Sequence, residues 1–189
     1  MDLYLYLKEH RFVDAWVKGG KVPFYIASSY KKEERSGIFT PDENLIESST
    51  FDISSHRESL WFEGDANNIK FINCTFGGKP LTGTINRHYE DGLVVCLSTR
   101  RSKFIARKLE KKACVKINDI NELKELIDEK SGVKGLHGLC EYTAGHRRNH
   151  FLKSTYDSWQ EEYRIFWLGV GNIEIDLPPG MAKHVFNLP

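Results

Sequence analysis

Hydrophobic positions along this chain gather in short runs, and their spacing predicts most of the elements. Leu3, Tyr4, Leu5, Tyr6 and Leu7 are apolar without alternation, the pattern of a strand covered on both faces. Between His10 and Lys18, Phe12, Val13, Trp16 and Val17 recur at i, i+1, i+4 and i+5, which predicts a short amphipathic helix stopped by Gly19 and Gly20. Val22 to Ala27 reads as a second strand, with Pro23 tolerable near its start and Ser28 and Ser29 ending it.

The pattern then changes. Residues 28–59 are dominated by Lys, Glu, Ser, Thr, Asn, Pro and Gly, the composition of a long functional loop. Short apolar runs at 60–62, 69–72 and 74–76, separated by Gly64-Asp65 and Asn67-Asn68, predict a small β insert over 60–78. Gly92 to Ser98 is a buried strand, and Ser98 or Thr99 is placed to cap a helix running through Phe104, Ile105 and Leu109. A strand at 114–117 and an amphipathic helix from Asp119 to about Gly132, with Leu123, Leu126 and Ile127 on one face, come next. Further strands are expected from Cys140 to Thr143, from Tyr163 to Leu168 and from Ile173 to Leu177. The expected fold is α+β: a single domain over 1–189, its largely antiparallel sheet flanked by short helices.

Composition excludes more than it selects. With 189 residues and a net charge of +1, the chain has the length of one domain and is no polycation. No apolar run approaches the length of a membrane span, and no secretory signal is readable after Met1, so no membrane partner and a cytoplasmic location are expected. Cys74, Cys96, Cys114 and Cys140 have no C-x-x-C spacing, which suits buried reduced thiols. P-loop, dinucleotide-fold, hydrolase-elbow and zincin motifs are absent from the sequence.

Candidate chemistry concentrates in three places. If 163–168 is a strand that begins slightly earlier, Glu162, Arg164 and Phe166 share one face and Glu161, Tyr163, Ile165 and Trp167 the other. A carboxylate beside a guanidinium there is either a structural ion pair or an active-site Glu kept ionised by Arg164, with Tyr156 and Trp159 able to pack over it. The second place holds Arg147, Arg148, His150 and Lys153, groups that contact phosphates. His137, Cys140, His146 and His150 could in principle ligate zinc, but the neighbouring bases would repel a dication, so no metal is assigned. Third, Arg100, Lys103, Arg107 and Lys111 would line one stripe of the helix expected there, a shape suited to a polyanion.

Two segments carry a family resemblance. Val22-Pro23-Phe24-Tyr25-Ile26 is similar to the V-P-F-Y-F stretch of DarT-type DNA ADP-ribosyltransferases, and Lys153, Trp159, Glu162 and Arg164 resemble the K…W-x-x-E-x-R signature of a broad bacterial family met in defence and phage loci. The resemblance implies an ADP-ribosyltransferase-like split sheet and a toxin or antiviral effector that uses NAD as co-substrate. It implies an RNA, DNA or protein acceptor, with an antitoxin or inhibitor as a further partner. Glu162 and Arg164 would be catalytic, with Glu161 the alternative carboxylate. Tyr6, or Tyr4, would stand where the family's first strand carries His. NAD contacts would come from Tyr6, Tyr25, Ser28, Tyr30 and Arg35, and acceptor contacts from Arg147, Arg148, His150 and Lys153. The competing reading is a non-catalytic nucleic-acid- or protein-binding module built on the basic segments 100–112 and 146–153.

Overall fold

The structure is a computed structural model that describes residues 1–31, 91–144 and 149–189, together with the backbone of strands at 48–49, 66–76 and 79–87. In chain order, β1 (Leu3–Leu7), a 3-10 turn (His10–Phe12), α1 (Val13–Val17) and β2 (Gly20–Phe24) come first, and a 3-10 turn at Ala27–Lys31 follows. Then come β3 (Ser48–Ser49), β4 (Ala66–Phe76), β5 (Lys79–Arg87), β6 (Gly92–Ser98), α2 (Lys103–Lys108), β7 (Ala113–Ile117) and α3 (Ile120–Ser131). The last third holds β8 (Leu136–Leu139), β9 (Glu141–Thr143), β10 (Leu152–Ser154), a 3-10 turn (Thr155–Gln160), β11 (Glu162–Leu168), β12 (Ile173–Leu177) and β13 (Ala182–Asn187). The fold is thus mixed α+β with a mostly antiparallel sheet and few short helices. None of the helices, searched over the described residues, is long and apolar enough to cross a membrane.

The main sheet has the order β13-β7-β1-β6-β11-β8, and every pair in it is antiparallel. β1 pairs with β7 along its whole length and β6 with β11 along its whole length, yet β1 and β6 share only the Tyr4–Ser98 pair. Beyond that joint the free side of β6 takes the chain after β2: Ile26 bridges Leu93, and the Val94 N–H donates to the Tyr25 carbonyl at 3.2 Å. β2 in turn pairs with β12.

Alternation divides the sheet's faces. Leu3, Leu7, Leu93, Val95, Leu97, Val115, Tyr163, Ile165 and Trp167 lie in one core with Trp16, Val22, Phe24, Leu123, Ile127, Ile175 and Leu177. Ile165 and Trp167 are completely buried, and each such side chain contributes roughly 2–3 kcal/mol of hydrophobic stabilisation. On the other face, Tyr6, Cys114 and Phe186 form a second cluster with Ile105, Ala106 and Leu188, with Trp159 packed against it. α3 is capped as its sequence predicts: the Asp119 carboxylate accepts from the N–H groups of Asn121 and Glu122, and Gly132 closes the helix at φ 71°.

Several expectations are corrected. The second strand ends at Phe24 rather than Ala27, because Ser28 is drawn into a 3-10 turn. The β insert does not stop at 78: β4 is one continuous strand and pairs with β5 as far as Arg87, while β3 adds a strand inside the polar 28–59 segment. The run at 60–62 lies outside the described residues. Ser102, not Ser98 or Thr99, caps α2, its hydroxyl accepting from the Ile105 N–H at 3.2 Å. Because α2 spans only Lys103–Lys108, Arg100 and Lys111 lie off the helix and the four-residue basic stripe does not form. Cys114 and Cys140 are buried as expected but Cys96 is exposed, since it faces away from the core on β6.

Candidate functional site

Glu161 ends the 3-10 turn in the left-handed region, at φ 45°. That reversal sets the two neighbouring carboxylates apart. Glu161 turns outward to Arg100 at 2.9 Å, whereas Glu162 begins β11 and turns in, only 5% exposed. Its Oε1 accepts from Arg164 Nε at 2.7 Å and its Oε2 from Lys153 Nζ at 2.7 Å. Both cations are themselves buried, Lys153 3% and Arg164 4% exposed.

Each partner is held by its own element. Lys153 sits on β10, which runs parallel to β9 opposite Tyr142, and its ammonium also donates to Gln160 Oε1 at 2.8 Å. Gln160 donates in turn to Asp157 Oδ1 at 3.2 Å, and the Ser98 hydroxyl fixes the Gln160 carbonyl at 2.7 Å. Arg164 Nη1 donates to the His150 carbonyl at 3.0 Å, and the His150 ring stacks on Phe166 with centroids 3.6 Å apart. The Tyr142 hydroxyl accepts from the Glu162 N–H at 2.9 Å. Alternation therefore places Glu162, Arg164 and Phe166 on the face opposite the main core, as the sequence spacing predicts.

Burial by itself would raise the Glu162 pKa, but the charges of Arg164 and Lys153 and the hydrogen bonds they donate outweigh it and bring it down to about 2. Burial pushes the Tyr142 phenol up to about 12, so it stays protonated. The result is a carboxylate ionised near neutral pH beside a phenol at the Ser98 end of the β6–β11 ladder, with the His150 ring stacked further along it on Phe166. Such a carboxylate can stabilise developing positive charge; it cannot serve as a general acid near neutral pH.

The other residues named from sequence are placed elsewhere. Tyr25 is 45% and Tyr30 39% exposed, and Ser28 is bound by Asp91 through both its N–H and its hydroxyl. This segment meets β6 at Leu93, whereas Glu162 pairs with Ser98, five residues and about 17 Å of strand away. The structure therefore does not bring the Tyr25–Tyr30 segment against Glu162. Tyr6 is 8% exposed, and its hydroxyl donates to the Arg100 carbonyl at 2.5 Å and accepts from the Ser102 N–H at 2.9 Å, which braces α2. Tyr156 is 84% exposed and Trp159 meets Phe104 and Lys108, so neither packs over Glu162. Arg35, Arg147, Arg148 and His146 lie outside the described residues. His137 is held to the Tyr163 hydroxyl, and among the described residues no group of three His, Cys, Asp or Glu side chains could hold a metal ion.

Three members of the cluster were not singled out from sequence: Tyr142, Asp157 and Gln160. Asp157 and Gln160 lie on a 3-10 turn that the sequence pattern does not predict, and the left-handed Glu161 separates them from the strand that carries Glu162. Tyr142 is brought in by the parallel β9–β10 pair, a long-range contact with no local signal. No protein-family model, no curated protein and no solved structure matches the chain.

Proposed function

We propose that the chain is an ADP-ribosyltransferase-like enzyme that breaks the nicotinamide–ribose bond of NAD and passes ADP-ribose to an acceptor. The observation that supports this is Glu162, a carboxylate buried on a strand and held ionised between Arg164 and Lys153. Cleavage of that bond develops oxocarbenium-like charge on the ribose, and a fixed anion beside it lowers the barrier. Nicotinamide leaves with the bonding electron pair, the acceptor's lone pair forms the new bond to the ribose carbon, and the acceptor's proton is lost to water. Arg164 and Lys153 hold Glu162 ionised and oriented, and the Tyr142 hydroxyl fixes its backbone. In this reading an extended dinucleotide lies along β6, its ribose–nicotinamide end at Glu162 and its adenosine end toward Tyr25, Ser28 and Tyr30.

The test is incubation with labelled NAD and a panel of RNA, DNA and cell lysate. The wild-type chain should release nicotinamide and label an acceptor, and Glu162→Gln should lower the rate by about 10²- to 10³-fold. Without release by the wild type, or with equal rates in the two, the Lys153–Glu162–Arg164 set is a structural clamp joining β10 to β11.

A second reading, a nucleic-acid- or protein-binding module, is favoured by one observation: Arg100, Arg101, Lys103, Arg107, Lys108 and Lys112 are all exposed, next to a Phe104 that is 62% exposed. It requires no Glu162. Binding of single-stranded or duplex oligonucleotides that weakens steeply with salt, unchanged in Glu162→Gln, would support it over the first reading.

A further inference from the structure

The chain leaves the main sheets after Ser28 and rejoins them at Asp91, and these two residues touch. The Ser28 N–H donates to Asp91 Oδ1 at 3.1 Å, the Ser28 hydroxyl bonds the other carboxylate oxygen, and Asp91 Oδ1 also accepts from the Gly92 N–H at 2.9 Å. Just inside this latch Ile26 bridges Leu93, and the Val94 N–H donates to the Tyr25 carbonyl. Gly92 seats the returning strand, since a Cβ there would lie 2.2 Å from the Trp167 carbonyl oxygen.

The strands divide along the same line. Among the described residues, β3, β4 and β5 form a sheet of their own, while the strands of the six-stranded sheet and of both two-stranded sheets come from residues before Ser28 or after Asp91. The ladders on either side of the latch close without a strand from between them.

We infer that residues 32–90 are an inserted module in a fold that is complete without them, latched at its base by Ser28 and Asp91. Chain ends already held together cost little entropy to join by a short link, and insertions are tolerated where the two ends are adjacent. The inference does not depend on what the Glu162 site does.

Two variants test it. In the first, residues 32–90 are replaced by about six Gly and Ser residues, a usual connection length. It should have the same oligomeric state as the full chain, protect the Ile165 and Trp167 amides from exchange as well as the full chain does, and melt cooperatively within about 5 °C of it. In the second, a recognition sequence for a specific protease is introduced between Lys31 and Asp91 of the full chain and cut. The two fragments should co-elute as one species and melt together. Loss of cooperative unfolding in the linked variant, or separation of the cut fragments, overturns the inference. So does a linked variant that fails to fold while the cut chain stays intact, because the insert would then be part of the core. Changing the latch sharpens the result: Asp91→Ala should lower the melting temperature of both the full chain and the linked variant, and no effect in either would remove the latch from the account.

Discussion

Two buried carboxylates on opposite faces of the same sheet show what distinguishes a structural anchor from a candidate reactive group. Asp128, on α3, accepts from Trp167 Nε1 at 2.7 Å, from the Gly135 N–H at 2.9 Å and from Lys124 Nζ at 2.7 Å. Its partners come from the helix itself, the turn after it and a core indole, so its task is to fasten α3 to β11. Gly135 is required there because a Cβ would lie 2.5 Å from Trp167 Nε1. Glu162 faces the other way on β11, and its carboxylate partners are two buried cations, from β10 and from β11 itself. Burial raises both pKa values and the partners bring both down to about 2, by different means: mainly hydrogen bonds at Asp128, mainly charge at Glu162. At Asp128 the leading partner is also a cation, Lys124, but it is not fully buried and two neutral N–H donors share the carboxylate, so replacement by an amide should cost less there. At Glu162, where the partners are two buried charges, the carboxylate is the counter-ion of its surroundings.

The strongest way to break this comparison is to remove the counter-ion. Glu162→Ala leaves Lys153 and Arg164 facing each other without it and should cost about 3–5 kcal/mol in chemical denaturation, enough to threaten folding. A loss under 1 kcal/mol would mean that Lys153 and Arg164 do not depend on Glu162 as their counter-ion.

Acid should act on both sites with the same sign. Each folded pKa lies below its ordinary value of 4.5 or 3.8, so the stability each carboxylate supplies is fully present above those values and is lost as pH falls toward 2. At about 1.4 kcal/mol per pH unit, the Glu162 shift amounts to about 3 kcal/mol and the Asp128 shift to about 2 kcal/mol. Denaturation followed from pH 6 to pH 2 should therefore show stability falling from about pH 4.5 downward, and Glu162→Gln should flatten that fall more than Asp128→Asn does.

Asp128→Asn keeps an oxygen for Trp167 and Gly135 but turns its NH2 toward Lys124, so the bond from Lys124 and the ion pair with Lys134 at 3.5 Å are lost. We expect a loss of about 1–2 kcal/mol with no change in nicotinamide release. A change in release would mean that the two faces are coupled through β11.

The smallest effect is expected next door to the largest. Glu161→Ala removes a half-exposed pair with Arg100 and should change stability by less than about 0.5–1 kcal/mol. Measured beside Glu162→Ala, it gauges how far one left-handed residue separates two adjacent glutamates.

Much of the fold was legible because some segments carry strong local signals. Leu3–Leu7 reads as a central strand from its unbroken apolar run, Gly92–Ser98 matches its expected span, and Asp119 with Gly132 marks both ends of α3. Leu136–Leu139 was not legible: Leu-His-Gly-Leu has no β-branched residue, and as an edge strand it buries too little to show a pattern. Ala182–Asn187 was hidden by the register shift between His184 and Phe186, which breaks the period of two. At the site, the shared face of Glu162, Arg164 and Phe166 followed from strand alternation. The pairing of Lys153 with Glu162 did not: the family signature groups the two residues, but Lys153 is expected there to contact an acceptor with the other bases of its segment. Only the parallel β9–β10 pair turns it inward.

The central claim is that the ionised Glu162 carboxylate acts on NAD. The most direct measurement is nicotinamide release from labelled NAD by wild type and Glu162→Gln, at a temperature where both are folded by circular dichroism. We predict measurable release by the wild type and a loss of two to three orders of magnitude in the variant. Equal rates in two folded proteins, or no release by either, would contradict the account.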